Sequence, residues 1–226
     1  MAQYTKISNG ETLTECELYD YLNTAKGYCC EKGWIWRNDD TEVEHTGREW
    51  KAIWAADPPW ECVPVFEYTA EYETLLDVVG FYIGNDAGVG LNVIVDWGDG
   101  NIIAYDGSSG YDITYSYAIV STYNIKVYVR QYEYVENLDF SSVGTNDMTA
   151  IVFYRKMSHM NDGVFIANSN QLPSNYINDI LAYLVSIPCT SATIDISSQT
   201  PPAPPTGQGI IDKATLISNG CTVTTD

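Results

Sequence analysis

The sequence is short of basic residues: 11 Lys and Arg stand against 30 Asp and Glu, for a net charge of −19. The deficit runs along the whole chain, with net charges of −6, −7 and −6 over residues 1–62, 63–130 and 131–226. Phosphate backbones are held by clustered Lys and Arg, so no segment offers a nucleic-acid footprint. An anionic membrane surface is unattractive for the same reason. Acidity of this kind favours solubility and mutual repulsion at high local concentration. Long hydrophobic runs are missing too. No apolar stretch approaches the ~20 residues that span a bilayer, and the opening Met1–Ser8 lacks the charged and apolar regions of a secretory signal. The expectation is a soluble protein made in the cytosol.

Histidine is scarce, with only His45 and His159. Neither is accompanied by a marked nucleophile and orienting acid, so a hydrolytic triad reads poorly. Cys29 or Cys30 with His45 is the nearest approach to a thiol–imidazole pair. Carboxylates are plentiful, but nothing selects a pair for glycoside hydrolysis. There is no phosphate-cradling glycine loop and no dinucleotide fingerprint. The six cysteines, Cys16, Cys29, Cys30, Cys62, Cys189 and Cys221, include no Cys-x-x-Cys pair. Reduced, buried thiols are the expectation, with a metal or disulfide knot among the first four as the alternative.

What is present favours strands. Apolar residues make up 45% of the chain, Tyr alone numbers 18, and charged residues are few. The expected fold is mainly β with some α, in three segments. Residues 1–62 hold five of the six tryptophans: Trp34, Trp36, Trp50, Trp54 and Trp60. Thr14 and Glu17 have capping-box spacing, Leu13 and Leu18 form a hydrophobic staple, and Gly27 is placed to end that helix. Gly33–Trp36 reads as a strand, so the segment is a small α+β unit. Its tryptophans pack a core or, exposed, present interface or glycan-stacking faces.

Residues 63–130 alternate as an antiparallel sheet does. Phe66, Tyr68 and Ala70 share one face, as do Leu91, Val93, Val95 and Trp97; Ile125, Val127 and Val129 alternate likewise. Asp99-Gly100 is a hairpin signal, with Ile102 and Ile103 opening the return strand. Several short strands with such turns predict a β-sandwich. Residues 131–226 carry four similar strand-like pieces starting at 136, 163, 192 and 221. Helical patterns lie between the last three, over Asn175–Ile187 with Ser174 as cap and over Ile210–Asn219 with Gly220 beyond its end. Strand, helix and next parallel strand, repeated, make a right-handed β-α solenoid whose period lies at the long end of the leucine-rich range. Pro201–Pro205 reads as an extended link within that period.

Asp96-Trp97-Gly98-Asp99-Gly100, then Tyr115-Ser116-Tyr117, then Ser121-Thr122-Tyr123-Asn124-Ile125-Lys126-Val127 resembles the PKD-type immunoglobulin-like domain over about 65 residues. Tyr115 stands where that family usually has His, and Ser121 where it often has Gly. The bland role of the motif is a turn that Asp99 braces. Its sharper role is Ca²⁺ binding by Asp96 and Asp99; no other cofactor is expected. The run from Ala203 to Asp226 is similar to the closing segment of proteins from Bacteroidota and their phages, including crAss-like phages. These join PKD-like or immunoglobulin-like modules to leucine-rich-like repeats and end in Gly-Gln-Gly, an Asp-Lys helix and a Gly-Trp-Thr-Val strand. Cys221 takes the place of that Trp. The resemblance implies a non-enzymatic virion surface protein of a tailed phage, on head or tail, assembled in the host cytoplasm in many copies. It implies other virion proteins as partners; the tryptophans add a host glycan, and the acidity leaves out nucleic acid and membrane. A bacterial surface adhesin and a carbohydrate-active enzyme are the alternatives. Residues 1–62, with 6 of the 11 basic residues and most tryptophans, are the expected anchor.

Overall fold

The computed structural model describes all residues except 1, 9, 25–34, 57–58, 74–77, 86, 142–146 and 188. Trp34, Cys29, Cys30 and the helix-ending Gly27 lie outside the described residues. No described helix is long and apolar enough to cross a membrane. Among the described residues the chain is mainly β with four α-helices, and it divides into two compact units, Met1–Val63 and Pro64–Asp226.

The first unit contains β1 (Gln3–Lys6), β2 (Thr12–Thr14), α1 (Glu15–Thr24), β3 (Ile35–Asn38), β4 (Glu44–Thr46) and α2 (Gly47–Ala56). It is one ββα motif built twice. Gln3 and Ile35, Thr12 and Glu44, and Glu15 and Gly47 open matching elements, each pair 32 residues apart. The sheet runs β2-β1-β3-β4, all antiparallel. At its centre Thr5 faces Arg37, its own counterpart, while Tyr4↔Asn38 and Lys6↔Trp36 exchange under the same operation. The loop bonds repeat as well. Lys6 N–H donates to the Glu11 carbonyl and Asn38 N–H to that of Val43; Gly10 and Glu42, both at positive φ, close the two loops. The expected capping box is present: Thr14 N–H donates to Glu17 Oε2 at 2.8 Å and Glu17 N–H to Thr14 Oγ1 at 3.3 Å. Thr46 and Glu49 form its twin at the same distances. Tyr4, Trp36, Leu18, Leu22, Trp50 and Trp54 make the core, the helix residues again matching at Leu18/Trp50 and Leu22/Trp54.

Cys16 and Cys62 are joined by a disulfide that ties α1 to the segment beyond α2. This corrects the expectation of reduced thiols for these two; their wide separation left no local pattern to read. Cys189 and Cys221 are free and buried, and burial, then the neighbouring Cys221, pushes the Cys189 thiol up to about 12.

The second unit begins with β5 (Phe66–Tyr72), β6 (Val79–Gly84), β7 (Leu91–Asp96), β8 (Ile102–Ser108), β9 (Gly110–Tyr115) and β10 (Ser121–Val129). It continues with β11 (Asn137–Asp139), β12 (Asp147–Phe153), β13 (Val164–Ile166), α3 (Ser174–Ser186), β14 (Thr193–Ile196), α4 (Gln208–Ser218) and β15 (Thr222–Thr225). One sheet runs β12-β5-β10-β7-β8 and is antiparallel throughout; the other runs β15-β14-β13-β11-β6-β9. The four repeat pieces supply its first four strands as parallel neighbours, with Asn137, Val164, Thr193 and Thr222 in register. Successive strands are stitched by the same bond: Val164 N–H to the Glu136 carbonyl, Thr193 to Gly163 and Thr222 to Ala192, at 2.9–3.1 Å.

The seam expected at 130/131 is not a division. β11 pairs antiparallel with β6, and β12 pairs with β5, so strands from both sides of that seam share each sheet and one continuous core. Phe66 and Tyr68 of β5 meet Phe81 of β6 and Phe140 at ring separations of 5.3–6.0 Å. The alternating residues read from the sequence, from Phe66 through Val129, lie in that core. Ser174 makes no cap bond; Pro173 holds the cap position with extended backbone, and α3 is kept by its buried Ile177, Ile180, Leu181 and Leu184. Gly220, at φ 103°, ends α4 with the bonds Gly220 N–H to Ile217 O and Cys221 N–H to Leu216 O.

Two outcomes follow for the first unit. Hydrogen bonds from Thr14 hold the Glu17 carboxyl below its usual range, and Thr46 does the same for Glu49. A depressed carboxylate contributes stability above the ordinary Glu value, about 4.3. That contribution is lost as pH falls through the depressed value. Melting of the Glu17→Gln/Glu49→Gln double variant is therefore less acid-sensitive than wild type over that window. Closing a 46-residue separation with a disulfide removes denatured-state entropy worth about 4 kcal/mol in the loop-closure account. Cys16→Ser/Cys62→Ser lowers the melting temperature of the first unit and leaves that of the second unchanged, as read by scanning calorimetry.

Candidate functional site

The strongest sequence motif folds into a braced turn between β7 and β8. Trp97 N–H donates to the Asn101 carbonyl at 3.0 Å, closing the loop. Gly98 and Gly100 both take positive φ, and a side chain on Gly98 would strike the Asn124 carbonyl oxygen at 2.5 Å. Asp96 Oδ1 accepts from Gly98 N–H at 3.0 Å. Asp99 Oδ1 accepts from Asn101 N–H at 3.0 Å, and its Oδ2 takes the Asn101 side-chain amide at 3.0 Å and the Tyr115 hydroxyl at 2.8 Å. Desolvation opposes ionisation here, yet these donors hold the Asp99 carboxyl below its usual range.

Tyr115, at the end of β9, and Tyr117, just beyond it, complete the brace. Tyr115 stacks on Trp97 at 4.8 Å, and the Tyr117 hydroxyl donates to the Trp97 carbonyl at 2.8 Å. Tyr117 also stacks on Tyr123 at 3.6 Å. Asn101 was not singled out from the sequence, although its place directly after Asp-Gly is where a turn-bracing amide belongs.

Both aspartates thus accept bonds from N–H or O–H donors of the turn and of Tyr115, which is the bracing role read from the sequence. Among the described residues, no group of three or more His, Cys, Asp or Glu is gathered to hold a metal.

The tryptophans divide. Trp36, Trp50 and Trp54 are 1%, 7% and 5% exposed, which removes their faces from any sugar. Trp50 and Trp54 stack at 5.3 Å, Tyr4 meets both edge-on, and Trp50 Nε1 donates to the Trp36 carbonyl at 3.0 Å. Trp60 is half-buried beside the disulfide-bonded segment. The interface or glycan role considered for Trp36, Trp50 and Trp54 is therefore corrected to core packing.

The histidines are likewise occupied locally. His45 packs edge-on against Trp50 at 4.8 Å, and His159 stacks on Tyr134 while bonding the Glu133 carbonyl. Two surface depressions stand out. One of about 320 Å³ is lined by Glu71, Tyr72, Glu73, Val120, Ser121 and Thr122, the other of about 180 Å³ by Ile151, Val152, Phe153, Asp179 and Tyr183. Neither lining includes a His, Cys or Lys.

A polar ladder along the parallel strands had no counterpart among the expected sites. Asp139 accepts from the Ser141 N–H and hydroxyl, and Asp195 does the same with Ser197. Asn168 donates to Asp195 at 2.7 Å, and Asp226 accepts from the Ser198, Gln199 and Ala203 N–H groups. Its signal was available in the shared Asp-x-Ser of the first and third repeat pieces.

No family model, curated protein or solved structure matches the chain.

Loss of the Asp99 bonds is expected to cost about 1–2 kcal/mol. Asp99→Ala melts lower than wild type by that amount with or without added Ca²⁺. A large Ca²⁺-dependent stabilisation of the wild type that the variant lacks would establish the metal-binding role instead.

Proposed function

We propose that the protein is a non-enzymatic structural component of a surface assembly, and more specifically a virion surface protein of a tailed phage, present in many copies. One observation carries the first part. The marked polar side chains, Asp96, Asp99, Asp139, Asp195, Asp226, His45 and His159, bond or pack within the turns, caps and strand ends that they stabilise. Such groups build a rigid scaffold. The second part rests on the resemblance of residues 203–226 to closing segments of phage and Bacteroidota proteins. On this reading residues 63–130 supply the PKD/immunoglobulin-like part of a body that continues into the leucine-rich-like run of 131–226, and residues 1–62 anchor it to other virion proteins.

A bacterial surface adhesin is the second reading, and the Cys16–Cys62 disulfide favours it because such bonds persist in oxidising surroundings outside the cytosol. A released virion meets the same surroundings.

Mass spectrometry of gradient-purified particles, beside a cell-envelope fraction of uninfected host, separates the two. The proposal expects the protein in the particles and its loss from them when residues 1–62 are deleted. A second deletion, of the whole unit 64–226, keeps the first compact unit and should leave some incorporation. Recovery in the envelope of uninfected cells would overturn the phage assignment, and normal incorporation without residues 1–62 would overturn the anchor.

A further inference from the structure

The edge of the six-stranded sheet at β15 is built like the inside of the sheet. Each earlier parallel strand offers a carbonyl to the next: Glu136 to Val164, Gly163 to Thr193, Ala192 to Thr222. The fourth in that series is the carbonyl of Cys221. Thr222 N–H points inward to Ala192, so by strand alternation the N–H groups of Val223 and Thr225 point to the open side. Natural sheets guard such edges with charged side chains, Pro, a bulge or a very short strand. β15, Thr-Val-Thr-Thr, is short but carries no charge, Pro or bulge.

The helix beside it shows the same incompleteness. α4 repeats α3 at an offset of 32 residues: buried Ile177, Ile180 and Leu184 correspond to buried Gly209, Asp212 and Leu216. Asn178 of α3 turns towards α4, with its amide on Thr206 at 3.0 Å and its side chain against Gly209. Its counterpart on α4 is Ile210, 58% exposed, and the counterpart of half-buried Val185 is Ile217, 50% exposed. Isoleucines thus stand where α3 meets its neighbour.

Charge selects the occupant. In a chain of net charge −19, most surfaces repel a second copy. This end does not. Asp212 is buried and bonded to Gln208, Asp226 is engaged by three backbone N–H groups, and Lys213 bonds Thr225 at 2.7 Å. The exposed residues of α4, Gln208, Ile210, Ile211, Ala214, Ile217 and Ser218, are uncharged.

We infer that the β15–α4 end is a self-association surface whose partner is a second copy of this chain. A two-fold axis perpendicular to the sheet sets β15 antiparallel to its copy and lays α4 against the copy's α4, with Ile210 of one facing Ile217 of the other. Helices stay on one face, the sheet continues across the axis, and the interface is closed, so association stops at the dimer. The inference stands apart from the proposed function, because a dimer in solution serves a virion protein and an adhesin alike.

Sedimentation velocity from micromolar to near-millimolar protein tests it. Wild type is expected to pass from monomer to dimer. Ile210→Glu and Ile217→Glu, both at exposed positions, should weaken dimerisation at least tenfold, while Ile102→Glu, at an exposed isoleucine on β8, leaves it unchanged. Amide exchange gives a readout independent of solubility: the segment 222–226 should gain protection as concentration rises in the wild type and not in Ile210→Glu. A wild type that stays monomeric throughout overturns the inference. So does association that survives both α4 substitutions or is abolished by Ile102→Glu, and so does growth beyond the dimer.

Discussion

The second unit depends on a three-residue strand. β11 is hydrogen-bonded antiparallel to β6 on one side and parallel to β13 on the other, so two architectures meet across its width. The next residue, Phe140, contacts Phe66, Tyr68, Phe81 and Phe165, linking both sheets and the parallel run. The joint is narrow because Gly163 lies against the backbone of Glu136, where a methyl group would fall 1.8 Å from the carbonyl oxygen. Contact at that distance is forbidden to any other residue, and the Gly163 carbonyl also receives the first bond of the following strand. Backbone approach at this point, together with the β12–β5 pairing and the contacts of Phe140, fastens the alternating β half to the repeating half.

Rigidity then follows from local devices repeated in both units. The first unit has two capping boxes, two matched loops and a disulfide. The second has an aspartate-braced turn, aromatic stacks beneath it and a ladder of Asp, Ser and Asn along its parallel strands. In the capping boxes, the braced turn and the ladder, a charged or polar side chain satisfies backbone groups next to it. An open strand edge beside a helix whose exposed residues are uncharged departs from that rule, which is why it is the place where another molecule is expected.

Much of this was legible in the residues. Period-two alternation located β5, β7 and β10, and the 27- to 29-residue spacing located the parallel run, because in both cases one buried face imposes the pattern. Thr14 and Glu17 announced the first helix for the same local reason. The 32-residue duplication in the first unit was hidden: within the matching elements Thr14/Thr46 and Glu17/Glu49 are the identities, while Tyr4 is answered by Trp36 and Leu18 by Trp50. Shape was kept and identity was not. The 130/131 seam was misread because the partners of β6 and β12 lie far along the chain, and periodicity says nothing about which sheet a strand joins. The turn motif was read correctly as structure, since Asp99 is where an Asx turn needs its acceptor, but the Tyr115 hydroxyl that completes it comes from another strand.

The claim that the joint at β11 makes residues 64–226 one body is open to a direct measurement. Native-state amide exchange on the full chain, in wild type and Gly163→Ala, reports the stability of each strand separately. If the joint holds the unit together, amides of β5 and β10 in one sheet and of β13 and β14 in the other lose protection by the same amount in the variant. Loss confined to β13 and β14, with β5 and β10 exchanging as in wild type, would show two independent halves and contradict the account.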